Sequence, residues 1–377
     1  MRVSTAQFYF QNSLQLTNKQ SNVNEQIEHL STGQRVLTAK DDAVAFGTLT
    51  GYKDELNLIE KYQRNITQAE NRNSLLDTSF NSATDILQQF KTMLIQANNG
   101  AMSTLDLQSL GDIGENLFEE MLNIANQRDE TGGYIFSGYQ IDAKPFTLQP
   151  DDSVTYEGDN GLRELQIAKN VIIPTNISGL DAFQSVPNAI GDFTPVYNTN
   201  TSGLSVKKAT VNDPSVYNTS TIPPDFNFDF TSATDLTVRD GGGNTIFSTT
   251  SYSAGQLISL PNGVDVQING NPLPGDNFDL TPQENISVFE TMKDALAWVN
   301  TGDSPADVTQ HSVDYAKLLG QVDTALNHIT HMRSKAGVRM QLIENQKNNH
   351  LDSELYLTTG RSKIEDLDFA KALNSQK

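Results

Sequence analysis

His328 and His331 are the residues whose type and spacing come nearest to a metal-binding pair. Side chains three positions apart lie on the same face of a helix, and imidazole is a common ligand of transition metals. Neither histidine is accompanied by a cysteine or by an obvious carboxylate partner. The pattern therefore leaves a metal-binding pair open but favours a solvated helix face.

Two other groups of residues have the composition of ligand-binding loops. Asp151, Asp152 and Asp159 could supply oxygen ligands to calcium, but they lack the alternating spacing of a calcium loop. Ordinary acidic turns are the simpler interpretation. The glycine-rich run 241–244 could cradle a phosphate, but no helix follows it, as such a site requires. A flexible hairpin tip accounts for this run better.

The sequence contains none of the common catalytic motifs. It has no His-Glu-x-x-His, no P-loop, no Gly-x-Ser-x-Gly, and no Ser-x-x-Lys together with its partner motifs. The absence of cysteine excludes disulfides, thiolate metal sites and a cysteine nucleophile. We therefore predict no catalytic, cofactor-binding or metal-ligating residue, no cofactor and no enzymatic activity.

The acidic charge of the chain limits the kinds of partner that it can bind. The net charge is −20, from 46 acidic and 26 basic residues, and lysine and arginine form no cluster along the sequence. Phosphate backbones and anionic membrane surfaces attract such clusters, so the composition argues against nucleic acid and membrane as partners. The N-terminus shows no cleavable leader, and no stretch approaches the roughly 20 apolar residues of a spanning helix. A secreted chain of this kind would use a route that does not cleave a leader.

Proline divides the sequence into three zones. Twelve of the 13 prolines fall between Pro145 and Pro282, and the other is Pro305. Because proline breaks helix interiors, long helices are expected in the flanks and not in the middle. The middle, about 145–283, is rich in Asn, Thr, Ser, Asp and Gly and contains short alternating runs typical of strands.

Both flanks carry heptad seams. The first seam predicts a helix from about Ala43 to Ala97, which would span roughly 80 Å. A second helix follows it. In the last flank, capping patterns begin at Thr281 and at Ser304, and a seam continues to about Leu357. The apolar positions of the first seam are Leu49, Tyr52, Leu56, Ile59, Tyr62, Ile66, Ala69, Leu76, Phe80, Ala83, Leu87, Phe90 and Leu94.

Within the middle zone, the turn signal at 158–161 predicts a hairpin between strands at 154–157 and 162–167. Another strand is predicted at 263–270, and periodicity does not decide the structure of 176–232. The predicted fold class is mainly α with a β-rich insertion. Residues 41–144 and 284–357 would form an antiparallel rod-like bundle of long helices, residues 145–283 a distal β domain, and residues 1–40 with 358–377 a terminal assembly segment. Heptads alone are also compatible with any long helical hairpin.

Two segments, one near each end, resemble the signatures of the flagellin superfamily. Residues 30–43 (LSTGQRVLTAKDDA) are similar to the N-terminal signature, and residues 360–370 (GRSKIEDLDFA) to the C-terminal signature. They occur at the expected ends and in the expected order. The resemblance covers both helical flanks, somewhat over half of the chain. It assigns a family-motif or assembly role to seven residues: Arg35, Asp41, Asp42, Ile364, Glu365, Asp366 and Asp368.

Other segments resemble the subgroup of this superfamily that forms the junction between hook and filament. They are residues 1–9 (MRVSTAQFY), 132–139 (GGYIFSGY) with 144–146 (KPF), and 271–278 (NPLPGDNF). The resemblance implies a secreted, extracellular structural subunit that is exported unfolded through the flagellar type III apparatus. Its implied partners are copies of itself in a ring or tube, a neighbouring hook-associated protein, flagellin and an export chaperone. A filament flagellin is the first alternative, and an adhesin or enzyme carried in the middle zone is the second.

The resemblance also implies a further apolar helix beyond the C-terminal signature, whereas this sequence ends at Lys377. Residues 1–40 would then lack a partner segment of equal length and would order only on assembly, because an isolated amphipathic strip does not offset its ordering entropy. If that helix has been removed from the chain, we expect the 377-residue chain to stay monomeric at concentrations where the full-length form associates, and residues 1–40 to exchange amides rapidly. For Asp41 and Asp42, capping of the long helix is favoured over a contact between subunits.

Overall fold

A computed structural model of the chain describes residues 5–217, 225–302 and 307–368. Long helices come from both flanks of the sequence and strands from its middle, which confirms the predicted fold class. None of the helices in these residues combines the length and apolarity needed to span a membrane. The α-helices of the described residues are α1 (Thr5–Thr32), α2 (Ala43–Ala97), α3 (Thr104–Ala125), α4 (Val288–Asn300) and α5 (Val308–Glu365).

The strands of the described residues form four sheets. One has five strands in the order β5-β12-β7-β8-β9, one has three in the order β10-β11-β6, and β1-β2 and β3-β4 are two-stranded. A short π-helix, Leu180–Gln184, lies between β4 and β5 in sequence. The strands are β1 (Phe146–Leu148), β2 (Val154–Tyr156), β3 (Glu164–Ala168), β4 (Val171–Pro174), β5 (Phe193–Thr199), β6 (Ser205–Val211), β7 (Phe226–Phe230), β8 (Leu236–Asp240), β9 (Thr245–Thr249), β10 (Leu257–Ser259), β11 (Val264–Asn269) and β12 (Asn277–Pro282).

The chain divides into two compact units, each assembled from separate parts of the sequence. The first unit comprises residues 1–70, 165–173 and 341–377, and the second comprises residues 71–164 and 174–340. The domain boundaries predicted from the sequence, and the rod-like form predicted for the bundle, stay predictions.

In the second unit, helices and sheets have separate cores. The helical core is aromatic, with Phe183 in contact with the rings of Phe136 and Phe289 at centroid distances of 5.1 and 5.9 Å. The sheet core follows from the period of two in β7, where alternate residues face the interior. Phe228 of β7 stacks on Phe278 of β12 at 4.8 Å. β7 therefore forms a regular strand within residues 176–232, where the periodicity of the sequence left the structure undecided.

Within the first unit, α2 and α5 run antiparallel. Lys53 contacts Glu365 at 2.9 Å, Gln63 contacts Glu354 at 2.8 Å, and Glu70 contacts Lys347 at 3.1 Å, so positions rise along α2 as they fall along α5. The buried residues of this unit include Ile66 and Ala69 of α2, which belong to the predicted heptad seam. They pack with Ile167, Ile173 and Ile343.

The predicted hairpin across 158–161 is wrong. β2 pairs with β1, in register from Phe146 opposite Tyr156, and β3 pairs with β4. The turn residues have other partners, because the Asp159 carboxylate accepts hydrogen bonds from the amides of Tyr139 and Gly161 at 2.9 and 2.6 Å. Asp159, which the local pattern assigned to a hairpin turn, therefore makes a tertiary contact with Tyr139 instead.

The capping role predicted for Thr281 is also wrong. Thr281 lies in β12 and pairs with Thr194 of β5. α4 begins later, and the Ser287 hydroxyl accepts the amide of Glu290 at 2.9 Å. A cap contributes only about 1 kcal/mol, whereas β12 gains ladder hydrogen bonds and buries two apolar side chains. Ser304, the other predicted cap, lies outside the described residues.

Candidate functional site at the joint of the two terminal signatures

The two signature segments meet in the first unit, and we call residues 33–42 with 360–367 the terminal joint. Gly33 ends α1 with a positive φ of 71°, a conformation that glycine adopts without strain. Its carbonyl accepts the amide of Leu367 at 2.8 Å, and the amide of Arg35 donates to the carbonyl of Glu365 at 2.6 Å. Between these bonds, Gln34 and Asp366 form an antiparallel bridge. Segments from opposite ends of the chain are thus joined backbone to backbone.

The Arg35 side chain caps the end of α5. Its Nε and Nη2 atoms donate to the carbonyl of Ile364 at 3.2 and 3.0 Å. The last carbonyls of a helix lack partners within the helix and carry partial negative charge, so a guanidinium there satisfies both needs. Nη1 of Arg35 also lies 3.5 Å from the Asp42 carboxylate, which ties the cap to the start of α2.

Glu365 is the most buried charge of the terminal joint, with only 8% of its side chain exposed. Its Oε1 atom accepts Nε2 of Gln34 at 2.9 Å and Nζ of Lys53 at 2.9 Å. Its Oε2 atom lies 3.3 Å from Nε of Arg361. Two cations and an amide therefore compensate the buried carboxylate, as buried charges require.

Asp41 and Asp42 shape the turn between α1 and α2. The Asp41 carboxylate accepts the amides of Thr38 and Leu37 at 2.8 and 3.0 Å, and these hydrogen bonds hold its pKa below the ordinary value. Asp42 accepts the amide of Ala45 at 3.0 Å in the first turn of α2, and this bond likewise lowers the pKa of Asp42. The capping interpretation is confirmed for Asp42, whereas Asp41 stabilises the preceding turn.

The structure brings most of the signature residues together. Arg35, Asp42, Ile364, Glu365 and Asp366 all take part in the joint through the bonds given above. Of the other two, Asp41 lies in the joint's turn, and Asp368 follows the joint with an exposed side chain. Residues 369–377, the end of the predicted assembly segment, lie outside the described residues. Sequence reasoning missed Lys53, because a lone cation on a helix face carries no signal of its partner, and it assigned no role to Arg361, although this residue lies within the C-terminal signature.

An apolar surface extends along α1, in the same unit. Seven large apolar side chains of this helix are exposed to between 47% and 70%. Exposed apolar area of this extent on one element is typical of an interaction surface. The seven residues, which we call the α1 apolar surface, are Phe8, Tyr9, Phe10, Leu14, Leu16, Val23 and Ile27.

The histidine pair shows no metal-binding geometry. Nε2 of His328 lies 2.8 Å from the carbonyl of Asp181, and burial lowers the pKa of this histidine, while the His331 side chain is exposed. Across residues 5–217, 225–302 and 307–368, no three His, Cys, Asp or Glu side chains are arranged to hold a metal ion.

The acidic and glycine-rich loops are turns. The Asp151 carboxylate accepts the amide and the hydroxyl of Ser153 at 3.1 and 2.6 Å. The glycine-rich run 241–244 connects β8 and β9, and Gly243 has a positive φ of 81°. The hairpin-tip and acidic-turn interpretations are therefore confirmed.

Together the fold and the terminal joint define a class: a long-helix protein whose two ends meet and whose middle is an inserted β-rich region. Residues 3–141 match the family model of the bacterial flagellin N-terminal helical region. The N-terminal helical region of this chain is therefore similar to that of the flagellin family.

Individual flagellar proteins show the same similarity. The chain is 32% identical over 147 residues to flagellar hook-associated protein 3 of Escherichia coli, covering 39% of this chain and 46% of that protein. It is 26% identical over 321 residues to a flagellin of Salmonella berta, covering 82% and 61%. The chain thus spans about half the length of the hook-associated relative. The crystal structure of flagellar hook-associated protein 3 from Legionella pneumophila has a similar fold, with a TM-score of 0.72, 24% identity, and 83% and 98% of the two chains covered.

Proposed function

We propose that this protein is a structural subunit of the bacterial flagellum that assembles at the junction between hook and filament. The observation that carries the proposal is the α1 apolar surface together with the terminal joint. A helix with so many exposed apolar side chains gains free energy by packing against other subunits, at about 25 cal/mol per Å² of apolar area removed from water.

The terminal joint positions this surface. Arg35 and Glu365 connect the end of α1 to the end of α5, so the C-terminal end of α1 is held at a fixed point within the first unit. A fixed starting point lowers the conformational entropy that α1 loses on assembly, because fewer orientations remain to be excluded. The joint is therefore a positioning element, and the contact surface between subunits is α1 itself.

The junction role, rather than another flagellar position, is supported by the likeness to hook-associated protein 3 in sequence and in fold. The partners that we propose are copies of this chain in a ring or tube, a neighbouring hook-associated protein on one side, flagellin on the other, and an export chaperone before assembly. The location is extracellular, reached by flagellar type III export. The proposed role requires no catalysis.

Deletion of the gene tests the role. Cells that lack a junction protein should carry hooks without filaments and should release unpolymerised flagellin into the medium. Filaments of normal length on the deletion strain would refute the proposal.

A matched pair of variants tests the contact surface. Leu16 of α1 and Leu105 of α3 are exposed to 70% and 71%, respectively. Leu16→Ser should impair complementation of the deletion strain, while Leu105→Ser should complement normally. Equal complementation by both variants would show that α1 is not the assembly surface.

A filament flagellin is the second candidate, supported by the match that covers 82% of this chain. Immunogold labelling separates the two roles. Gold confined to the base of the filament supports the junction, and gold along the whole filament supports flagellin.

A further inference from the structure

Three arginines that are far apart in sequence contact one short segment of the second unit, Arg72 and Arg339 through their guanidinium groups and Arg163 through its backbone carbonyl. Nη1 of Arg72, from α2, donates to Oγ1 of Thr175 at 3.4 Å. Nη1 of Arg339, from α5, donates to the carbonyl of Asn176 at 2.9 Å. Arg163 precedes β3, and its carbonyl accepts the amide of Thr175 at 2.7 Å. We call Arg72, Arg163 and Arg339 the arginine cluster.

The arginine cluster has little compensating negative charge. In the described residues, Arg163 and Arg339 form no ion pair, and Arg72 has one long contact, 4.0 Å from the Asp129 carboxylate. That carboxylate also accepts the amides of Thr131 and Gly133, at 2.9 and 3.0 Å. Asp129 is therefore shared among several donors and cannot compensate three guanidinium groups.

Arg163 shows most directly that the arginine cluster lacks compensating partners. Its Nη2 atom makes only a long bond, 3.4 Å to the carbonyl of Ile135, and its buried Nε atom has no hydrogen-bond partner among the described residues. An unsatisfied buried donor costs about 1–3 kcal/mol, and more when it is charged. Burial and the neighbouring Arg72 both lower the pKa of Arg163, and burial lowers that of Arg339. The local structure therefore disfavours the positive charges of the arginines that it brings together.

We propose that the arginine cluster is an oxyanion-binding site. Guanidinium groups present planar pairs of donors that match the oxygens of a carboxylate or phosphate, so such an anion would satisfy Arg163 and compensate the cluster. The oxyanion is either a free phosphate-like ion or a carboxylate side chain of a neighbouring subunit; the second source rests on the proposed assembly.

Thermal unfolding of the 377-residue chain in phosphate tests the free-ion source. Melting temperature is measured against phosphate concentration at constant ionic strength, with chloride as the reference salt. A specific site gives a rise that follows the occupancy of one site. Arg163→Met and Arg339→Met should each weaken the apparent phosphate affinity at least tenfold. The control is Arg333→Met, on the same helix as Arg339 but paired with Asp77 at 3.1 Å, which should retain the wild-type affinity.

The variants also separate binding from a general salt effect. Phosphate strengthens apolar burial in any protein, and that effect would raise the melting temperature of wild type and variants alike. If Arg163→Met does not fold, Arg163→Lys keeps the charge without the planar donors, and calorimetric titration of wild type with phosphate measures binding directly.

Complementation of the deletion strain tests the second source, a carboxylate side chain of a neighbouring subunit. If phosphate does not bind, but Arg163→Met and Arg339→Met impair complementation of the deletion strain while Arg333→Met does not, the oxyanion is a carboxylate of a neighbouring subunit. Equal phosphate responses in all variants, together with normal complementation by all of them, would overturn the site. That outcome would leave the proposed junction role standing, because that role is judged by the deletion strain itself.

Discussion

Glu365→Gln is the substitution that most directly tests the terminal joint. The variant keeps the shape of the side chain and one acceptor oxygen but removes the charge. The new amide can still accept one hydrogen bond through its oxygen, from Gln34 or from Lys53. It can no longer compensate Lys53 and Arg361 together.

The free energy lost in Glu365→Gln depends on how deeply Lys53 and Arg361 are buried. Breaking a fully buried ion pair costs about 3–5 kcal/mol, because one charge remains buried without a partner. Here Lys53 and Arg361 are 50% and 39% exposed, so both can turn to solvent when the carboxylate is lost. Allowing for solvent screening, we expect about 1–2 kcal/mol, measured as a lower free energy of opening of the joint.

Native-state amide exchange measures this free energy locally. The amides of Arg35 and Leu367 donate across the joint to Glu365 and Gly33, so both exchange only when the joint opens. A loss of about 1–2 kcal/mol corresponds to exchange that is about 5–30 times faster at these two amides. Amides in the second unit should not change.

The control removes an equivalent charge from an exposed pair. Glu60 contacts Arg64 one turn away at 2.7 Å, and both side chains are more than 60% exposed. Glu60→Gln should leave the exchange of Arg35 and Leu367 unchanged, since such pairs contribute about 0.3–0.5 kcal/mol. Unchanged exchange at both amides in Glu365→Gln would refute the view that this carboxylate holds the joint.

Three further predictions concern the second unit, each measured by chemical or thermal unfolding with the fluorescence of Trp298, the only tryptophan. Phe183→Ala should lower the free energy of unfolding by about 3–5 kcal/mol, because it removes a fully buried ring from the aromatic core; a loss below 1 kcal/mol would contradict that packing. Ser287→Ala should cost about 1 kcal/mol through loss of the α4 cap, and no loss would place the cap elsewhere. Burial raises the pKa of Asp314, so its contribution to stability is fully present below pH 3.8 and is lost as the pH rises through the folded pKa. Asp314→Asn should therefore melt higher than wild type at neutral pH, and the difference should vanish as the pH falls towards 3.8; a constant difference would argue against a buried carboxylate.

The long helices were predictable from the sequence because their signals are local and repeated. The apolar seam of α2 and the stop at Asn98 gave both ends of Ala43–Ala97. The cap at Asp42 was predictable for the same reason, since a carboxylate before the first turn satisfies free amides whatever the tertiary structure.

The middle of the chain was harder to predict because short strands are chosen by their partners. The pattern at Thr281 satisfied every local criterion for a helix start, yet pairing with β5 keeps it in a strand. Likewise Asp159 accepts the amide of Tyr139, a contact between residues 20 positions apart that no turn rule contains.

The candidate sites were predictable only in part. The resemblance placed Arg35 and Glu365 in signatures, and pairing of the two flanks brings those signatures together. Of the partners of Glu365, Gln34 and Arg361 lie within the signatures, whereas Lys53 belongs to no motif and was not predictable. The arginine cluster left no trace in the sequence either, since Arg72, Arg163 and Arg339 are separated by about ninety residues or more.

In the first unit, the contacts that α2 and the terminal joint make with α5 are nested, and this nesting affects the order in which the chain folds. Glu70 and Lys347 are 277 residues apart, Gln63 and Glu354 are 291 apart, and Gln34 and Glu365 are 331 apart. Closing a loop of this size from an open chain costs about 5 kcal/mol in entropy. Once Glu70 and Lys347 have met, however, the pair Gln63 and Glu354 closes only 14 additional residues, and the pair Gln34 and Glu365 closes 40 more. The pairs of this unit should therefore form in order from Glu70 and Lys347 outward, with the pairing of Gln34 and Glu365 last to form and first to open.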